Sequence, residues 1–134
     1  LELTEANKAL DKGFVADVLM GGSPDKITQY IDPDNYAQHN PAVGDGLAAL
    51  GDAMKAMAEE GTPMVYEKNH AVFGEGNFVL TVSEGVFLGQ PTSLYDLFRI
   101  DGGKIVEHWD AIETIPPRDD WKNDNGKFGF PGME

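Results

Sequence analysis

An α+β domain, its helices capping a strongly curved antiparallel sheet, is the fold class that this sequence predicts, on three observations. Apolar residues recur with helical spacing as far as Gly61 and alternate with polar ones after it. The alternating segments are separated by short turns, Gly74-Glu75-Gly76-Asn77, Gly89-Gln90-Pro91 and Asp101-Gly102-Gly103, so consecutive strands should pair antiparallel. Helices first and strands afterwards place the helices over one face of the sheet. A sheet that curls strongly around a helix leaves a cone-shaped cavity inside an α+β barrel.

The first helix carries Leu3, Leu10, Phe14, Val18 and Leu19 on one face, with Thr4 as its cap and Gly21-Gly22 as its stop. Ser23-Pro24-Asp25 opens a short second helix through Ile27 and Ile31, because proline is tolerated in a first turn and an acid suits its positive end. A third helix starts near Gly46, aligns Leu47, Leu50, Met54 and Met57, and ends at Glu59-Glu60-Gly61. That spacing assigns its methionines to the core rather than to an adaptable ligand surface. Strands follow over 64–73, 78–87, 94–100 and 104–112. Residues 1–115 thus make one domain. Residues 116–134, rich in Pro, Asp, Asn, Gly and Lys, read as an irregular tail: either Trp121, Phe128 and Phe130 anchor it across the sheet or in a neighbouring subunit, or it is a partly ordered terminus.

Composition narrows the partners. A chain of 134 residues fits one domain, burying roughly two thirds of the surface it exposes when unfolded. With 23 acidic against 10 basic residues the net charge is −13, which repels nucleic acid and anionic membranes over most of the surface. The absence of cysteine excludes disulfides, a thiolate nucleophile and cysteine metal sites. No run approaches the roughly 18 apolar residues of a membrane span. The compartment stays open: a soluble cytoplasmic protein is favoured over a secreted or periplasmic one that has lost a signal peptide, and Leu1 in first place is what a processed chain would show.

The stretch Tyr36-Ala37-Gln38-His39-Asn40-Pro41 lies in a connection of about fifteen residues, longer than compact helices need, and long loops often carry function. Each residue also has a structural use: Asn40 before Pro41 as turn chemistry, Asp45-Gly46 as a helix start, His39 on a backbone carbonyl. That stretch with Asp45-Gly46, and Tyr95-Asp96-Leu97-Phe98-Arg99-Ile100-Asp101-Gly102-Gly103-Lys104-Ile105-Val106-Glu107-His108-Trp109-Asp110 further on, resemble the SnoaL-like polyketide cyclase branch of the nuclear transport factor 2-like superfamily. The resemblance runs from about Asn7 to Ile115. It implies a cystatin-like roll, helices capping a curved sheet around an apolar pocket, usually as a homodimer. The characterised cyclases close a ring by intramolecular aldol condensation without metal or cofactor, and their acid/base aspartate matches Asp110. Because that fold hosts many activities, the resemblance speaks for architecture more than for substrate.

Alternation gives the same segment a physical reading. Val106, His108, Asp110 and Ile112 share one strand face, and Ile105, Glu107 and Trp109 the other, unless a bulge exchanges them. A face that is polar in the middle and apolar at its ends suits a proton-transfer group at a cavity wall. Asp96 among Leu94, Phe98 and Ile100 must be paired, protonated or facing a polar cavity, whereas Arg99 falls on the opposite face as a surface ion pair. The candidate catalytic residues are therefore Asp110 as base, with His39, His108 and Asp96. Tyr36, Asn40, Phe98 and Trp109 are the candidate binding residues, and the ligand is a small hydrophobic carbonyl compound. His70 is a satisfied sheet residue in this reading, and Glu84, an acid between Val82 and Val86, is set aside because Gly85 invites a bulge there. A metal held by His108, Asp110 and His39 is disfavoured, since two ligands at alternate positions are common by chance and no HExxH is present. The alternative function is a non-catalytic pocket in which Asp96, His108 and Asp110 form a structural network.

Overall fold

The computed structural model describes residues 2–131, so the last three positions of the expected tail lie outside the described residues. Helix α1 (Glu2–Phe14) buries Asn7, Asp11 and Phe14, a stripe at spacings of four and three, against the sheet. Two expectations for it fail. Leu3 stands off that stripe and is 68% exposed, and Thr4 lies inside the helix, its hydroxyl 3.5 Å from the Gly76 carbonyl rather than capping the start. The helix runs into one π-helical turn, Val15–Leu19, and stops where Gly21 takes φ +81°. A 3-10 turn (Pro24–Lys26) leads into α2 (Ile27–Tyr30). Ile31, expected as its last turn, is instead extended and fully buried in a bridge to Ile105.

The sheet has five strands, β1 (Ala37–Gln38), β2 (Val65–Glu75), β3 (Phe78–Phe87), β4 (Gln90–Asp101) and β5 (Lys104–Thr114), in the order β1-β5-β4-β3-β2. It is antiparallel except that β1, a two-residue strand within the long connection, pairs parallel with β5. Irregularities supply its curl: β2 shifts register between Tyr66 and Lys68 and between Asn69 and Ala71, opposite β3. Gly85 sits at the first of these, and a Cβ there would lie 1.8 Å from the Val65 carbonyl oxygen, so only glycine allows the strands so close. The expected bulge near Gly85 therefore falls on its partner strand. A further shift beside Arg99 turns Ile105 inward with Ile31 and Ile100, contrary to strict alternation, but leaves His108 and Asp110 on the inner face. The core gathers Phe14, Val18, Ile31, Tyr36, Val72, Val79, Phe98, Ile100 and Ile105.

The β3–β4 hairpin turns on Leu88 (φ 51°) and Gly89 (φ 76°), two left-handed residues in succession. Asn-Gly suits such a turn, and leucine pays for its Cβ there. Leu88 is 60% exposed and has little packing to lose. Leu88→Asn is expected to raise the unfolding free energy by about 1 kcal/mol in urea titration; an unchanged or lower midpoint would count against a strained turn.

Helix α3 (Leu47–Glu59) contributes no fully buried residue, and Met54 is 40% exposed. Leu47 and Leu50 pack against the edge of the core, while Met54 and Met57 line a cavity, which corrects the core assignment of its methionines. The tail folds back over the outer face of the sheet. Phe128 stacks on His70 with centroids 4.3 Å apart, Phe130 meets Phe73 edge-on, and Lys127 pairs with Glu113. Arg118 lies over the Trp121 ring, whose indole N–H donates to the Pro116 carbonyl. No helix among the described residues is long and apolar enough to cross a membrane.

Candidate active site

Between the inner face of the sheet, Phe14 and Leu19 of the first helical segment, and the apolar face of α3 lies a cavity of about 280 Å³. Leu50, Met54, Met57, Met64 and Phe98 give it apolar walls. Its polar groups converge from two directions. The segment Tyr36-Ala37-Gln38-His39-Asn40 is extended through β1, so Tyr36, Gln38 and Asn40 face inward together. From β4 and β5 come Asp96, His108 and Asp110, with Asp96 directly opposite Asp110 and Phe98 opposite His108 in the register.

One hydrogen-bonded chain links them. Asn40 donates through Nδ2 to both oxygens of Asp110, at 3.2 and 3.0 Å, and its own oxygen accepts from the Ala42 amide. The Asn40 backbone N–H donates to Gln38 Oε1 at 3.1 Å, which identifies that atom as the acceptor. His108 Nδ1, 2.8 Å from the same oxygen, must therefore carry a proton. Its Nε2 lies 2.7 Å from Asp96 Oδ1, so one proton is shared along that contact, and Tyr66 donates to the other Asp96 oxygen at 2.8 Å. Phe98 lies under the imidazole, centroids 4.9 Å apart. Burial first, and the Asp96 charge second, push the phenols of both Tyr36 and Tyr66 well above their ordinary pKa, so both stay protonated.

Asp110, His108, Asp96, Tyr36, Asn40 and Phe98 are thus brought together as expected, and Asp96 is partnered by both a tyrosine and a histidine. His39 and Trp109 are not. Strand parity turns both to the outer face, where their rings stack 4.7 Å apart and His39 Nε2 meets Glu107 at 2.6 Å. Arg99 completes that surface group, 2.7 Å from the other Glu107 oxygen. The hydrogen bond from His39, then that from Arg99, holds the Glu107 carboxyl below its ordinary range. His70 and Glu84 also pair on the outer face, as satisfied sheet residues. The residues not anticipated are Gln38, which orients His108, and Tyr66, which orients Asp96. Reading the loop as extended would have flagged Gln38, because it lies midway between Tyr36 and Asn40.

Ligand atoms of Asp96, His108 and Asp110 lie within 4.8 Å of one another, near enough to close on one cation. His39, the third ligand imagined from the sequence, is on the wrong face. In this arrangement both His108 nitrogens and both Asp96 oxygens are engaged by protein partners, so binding an ion would require breaking that network.

A curled sheet closed by helices over an apolar pocket with one polar end is the kind of concave, mostly apolar site in which small molecules are commonly held. Residues 12–108 match the SnoaL-like domain, and the chain belongs to that family. Among solved structures it is similar to a candidate polyketide cyclase from Acidithiobacillus ferrooxidans (17% identity, TM-score 0.61, covering 81% of this chain and 88% of that one). A protein of unknown function with a cystatin-like fold from Xanthomonas campestris is similar too (23%, TM-score 0.63, 79% and 89%). So is a candidate ketosteroid isomerase from Kribbella flavida (12%, TM-score 0.66, 93% and 94%). At these identities the likeness is one of fold. No curated protein matches the chain.

Proposed function

We propose that this chain is a small-molecule enzyme that performs cofactor-independent acid/base chemistry on a hydrophobic carbonyl compound, as an aldol-type cyclase or isomerase. The observation that carries this reading is a carboxyl group, Asp110, held among the described residues only by the Asn40 amide at the polar end of an otherwise apolar cavity of about 280 Å³. His108 cannot serve as the base, because both its nitrogens are committed to Gln38 and Asp96. It is a positioning residue here, and Asp110 takes the proton next to the carbonyl and returns it. The apolar walls favour a ligand with little charge of its own, and the methionines of α3 supply a face that adapts to its shape. The rival reading, a non-catalytic binding pocket, draws on the same closed network, since a purely structural cluster would also satisfy itself.

Exchange of the α-protons of 2-tetralone in D₂O, followed by proton NMR, separates the two. Wild-type protein is expected to accelerate the exchange and Asp110→Asn to lose about 10²–10⁴-fold of that acceleration. Equal rates for wild type and Asp110→Asn would leave only the binding pocket.

A further inference from the structure

Removing a proton beside a carbonyl breaks a C–H bond, sends its electron pair into a new C=C bond and moves the carbonyl π pair onto oxygen. The base receives the proton; the oxygen, now negative, needs a donor that is already in place. Asp110 in that role leaves the donor unassigned. Among the hydroxyl and imidazole groups lining the cavity, Tyr66 spends its proton on Asp96, and both His108 nitrogens are engaged, one by Gln38 and one by Asp96. Asn40 is occupied with Asp110 and with the Ala42 amide. Tyr36 is different. Its oxygen receives a hydrogen bond from Gln38 Nε2 at 3.0 Å, and no described residue accepts its proton in return.

That one-sided arrangement is built. Gln38 is held by two donors on its oxygen, the Asn40 backbone amide and His108 Nδ1, so its NH₂ group has to face Tyr36. A hydroxyl that accepts one hydrogen bond becomes a stronger donor of the next. The Tyr36 side chain is buried against the core yet lines the cavity, and the Asp110 charge is near enough to act on its phenol.

We infer that Tyr36 is the catalytic donor to the developing enolate oxygen, oriented by Gln38 and drawing on His108 and Asp96 through it. The inference rests on the reading of Asp110 as base and goes further, because it fixes where the substrate's carbonyl lies: at the Tyr36 hydroxyl, with the carbon that loses its proton toward Asp110. It also recasts the buried imidazole as the means by which a tyrosine is aimed.

The test uses wild type, Tyr36→Phe and Asp110→Asn, each checked by circular dichroism and thermal melting, with 2-tetralone as substrate probe and 2-naphthol against naphthalene as binding probes. Tyr36→Phe is expected to lower the turnover of α-proton exchange by about 10²–10³-fold, with little change in the concentration of 2-tetralone at half-saturation. It should weaken 2-naphthol by about tenfold while leaving naphthalene unaffected. On wild type itself, the C=O stretch of bound 2-tetralone should move to lower wavenumber than in an apolar solvent, and Tyr36→Phe should abolish that shift. If Tyr36→Phe exchanges within threefold of wild type while Asp110→Asn does not, the base stands and the donor assignment falls. If no protein exchanges the ketone, the enzymatic reading falls. The comparison of 2-naphthol with naphthalene then still decides whether Tyr36 donates: equal effects on both, or an unshifted carbonyl in wild type, overturn it.

Discussion

Asp96→Ala is expected to cost about 3–5 kcal/mol of unfolding free energy, more than any other single truncation in the pocket, because it strips one partner from a buried charge-sharing pair. Asp96 is 2% exposed and lies at the centre of the network, accepting from Tyr66 and sharing a proton with His108. Removing its carboxyl orphans a phenol and an imidazole at once, at a buried position on the cavity wall. Asp96→Asn is predicted to behave differently. An asparagine oxygen can still accept from Tyr66, and its NH₂ can donate to Nε2 of a neutral His108 whose other nitrogen keeps its proton on Gln38. Every partner stays satisfied, and the loss should stay within about 1.5 kcal/mol, the worth of one ordinary hydrogen bond. Urea unfolding of the three proteins decides it. Equal losses for Ala and Asn would show that the ionic character of the pair, and not its hydrogen bonding, holds the site together.

The network also shows which parts of this protein were legible in sequence. The architecture was, because periodicity changes once, after Gly61, and the turns carry their own glycines. The strand Phe78–Phe87 keeps the bounds of its alternating run, whereas the strands ending at Glu75 and spanning Gln90–Asp101 extend one to four residues past theirs, since pairing continues into turn residues whose side chains are polar. Parity on β4 and β5 placed Asp96, Phe98, His108 and Asp110 correctly, as the register shift beside Arg99 falls before His108, at Ile105 and Val106. His39 was misplaced for an instructive reason. A loop has no parity, and a two-residue strand is too short to show any; only the pairing of Ala37 and Gln38 with β5 gives the segment an inside and an outside. The same blindness hid Gln38. Tyr66 lay beyond reach because it enters the pocket next to a bulge, where alternation fails. The methionines of α3 have core spacing, and nothing in a sequence tells an apolar face packed on protein from one packed on a ligand cavity.

One buried group belongs to neither pocket nor surface, and it gives the second large effect. Asp11 on α1 is fully buried, and neither of its oxygens has a hydrogen-bond partner among the described residues. Burial above all, with the Asp96 charge adding to it, raises its pKa well above the ordinary carboxylate value. The folded protein therefore holds Asp11 neutral over a pH range in which the unfolded chain ionises it. Such a group costs nothing below an unfolded pKa near 4. Above that, the unfolded state releases a proton that the folded state keeps, and stability falls by up to about 1.4 kcal/mol per pH unit until the folded pKa is passed. Asp11→Asn removes that dependence. The asparagine is also unpartnered, so near pH 4 the variant should be no more stable than wild type. As pH rises from there toward the raised folded pKa, the difference should move in the variant's favour, read as diverging urea midpoints. A gap that stays constant with pH would mean that Asp11 ionises in the folded protein as freely as in the unfolded chain, and that α1 does not seal the sheet at this point. The link to Asp96 gives an internal control. Asp96→Asn takes away the charge that adds to the burial of Asp11, so the wild-type dependence should weaken in that background without vanishing, because desolvation, the larger cause, remains.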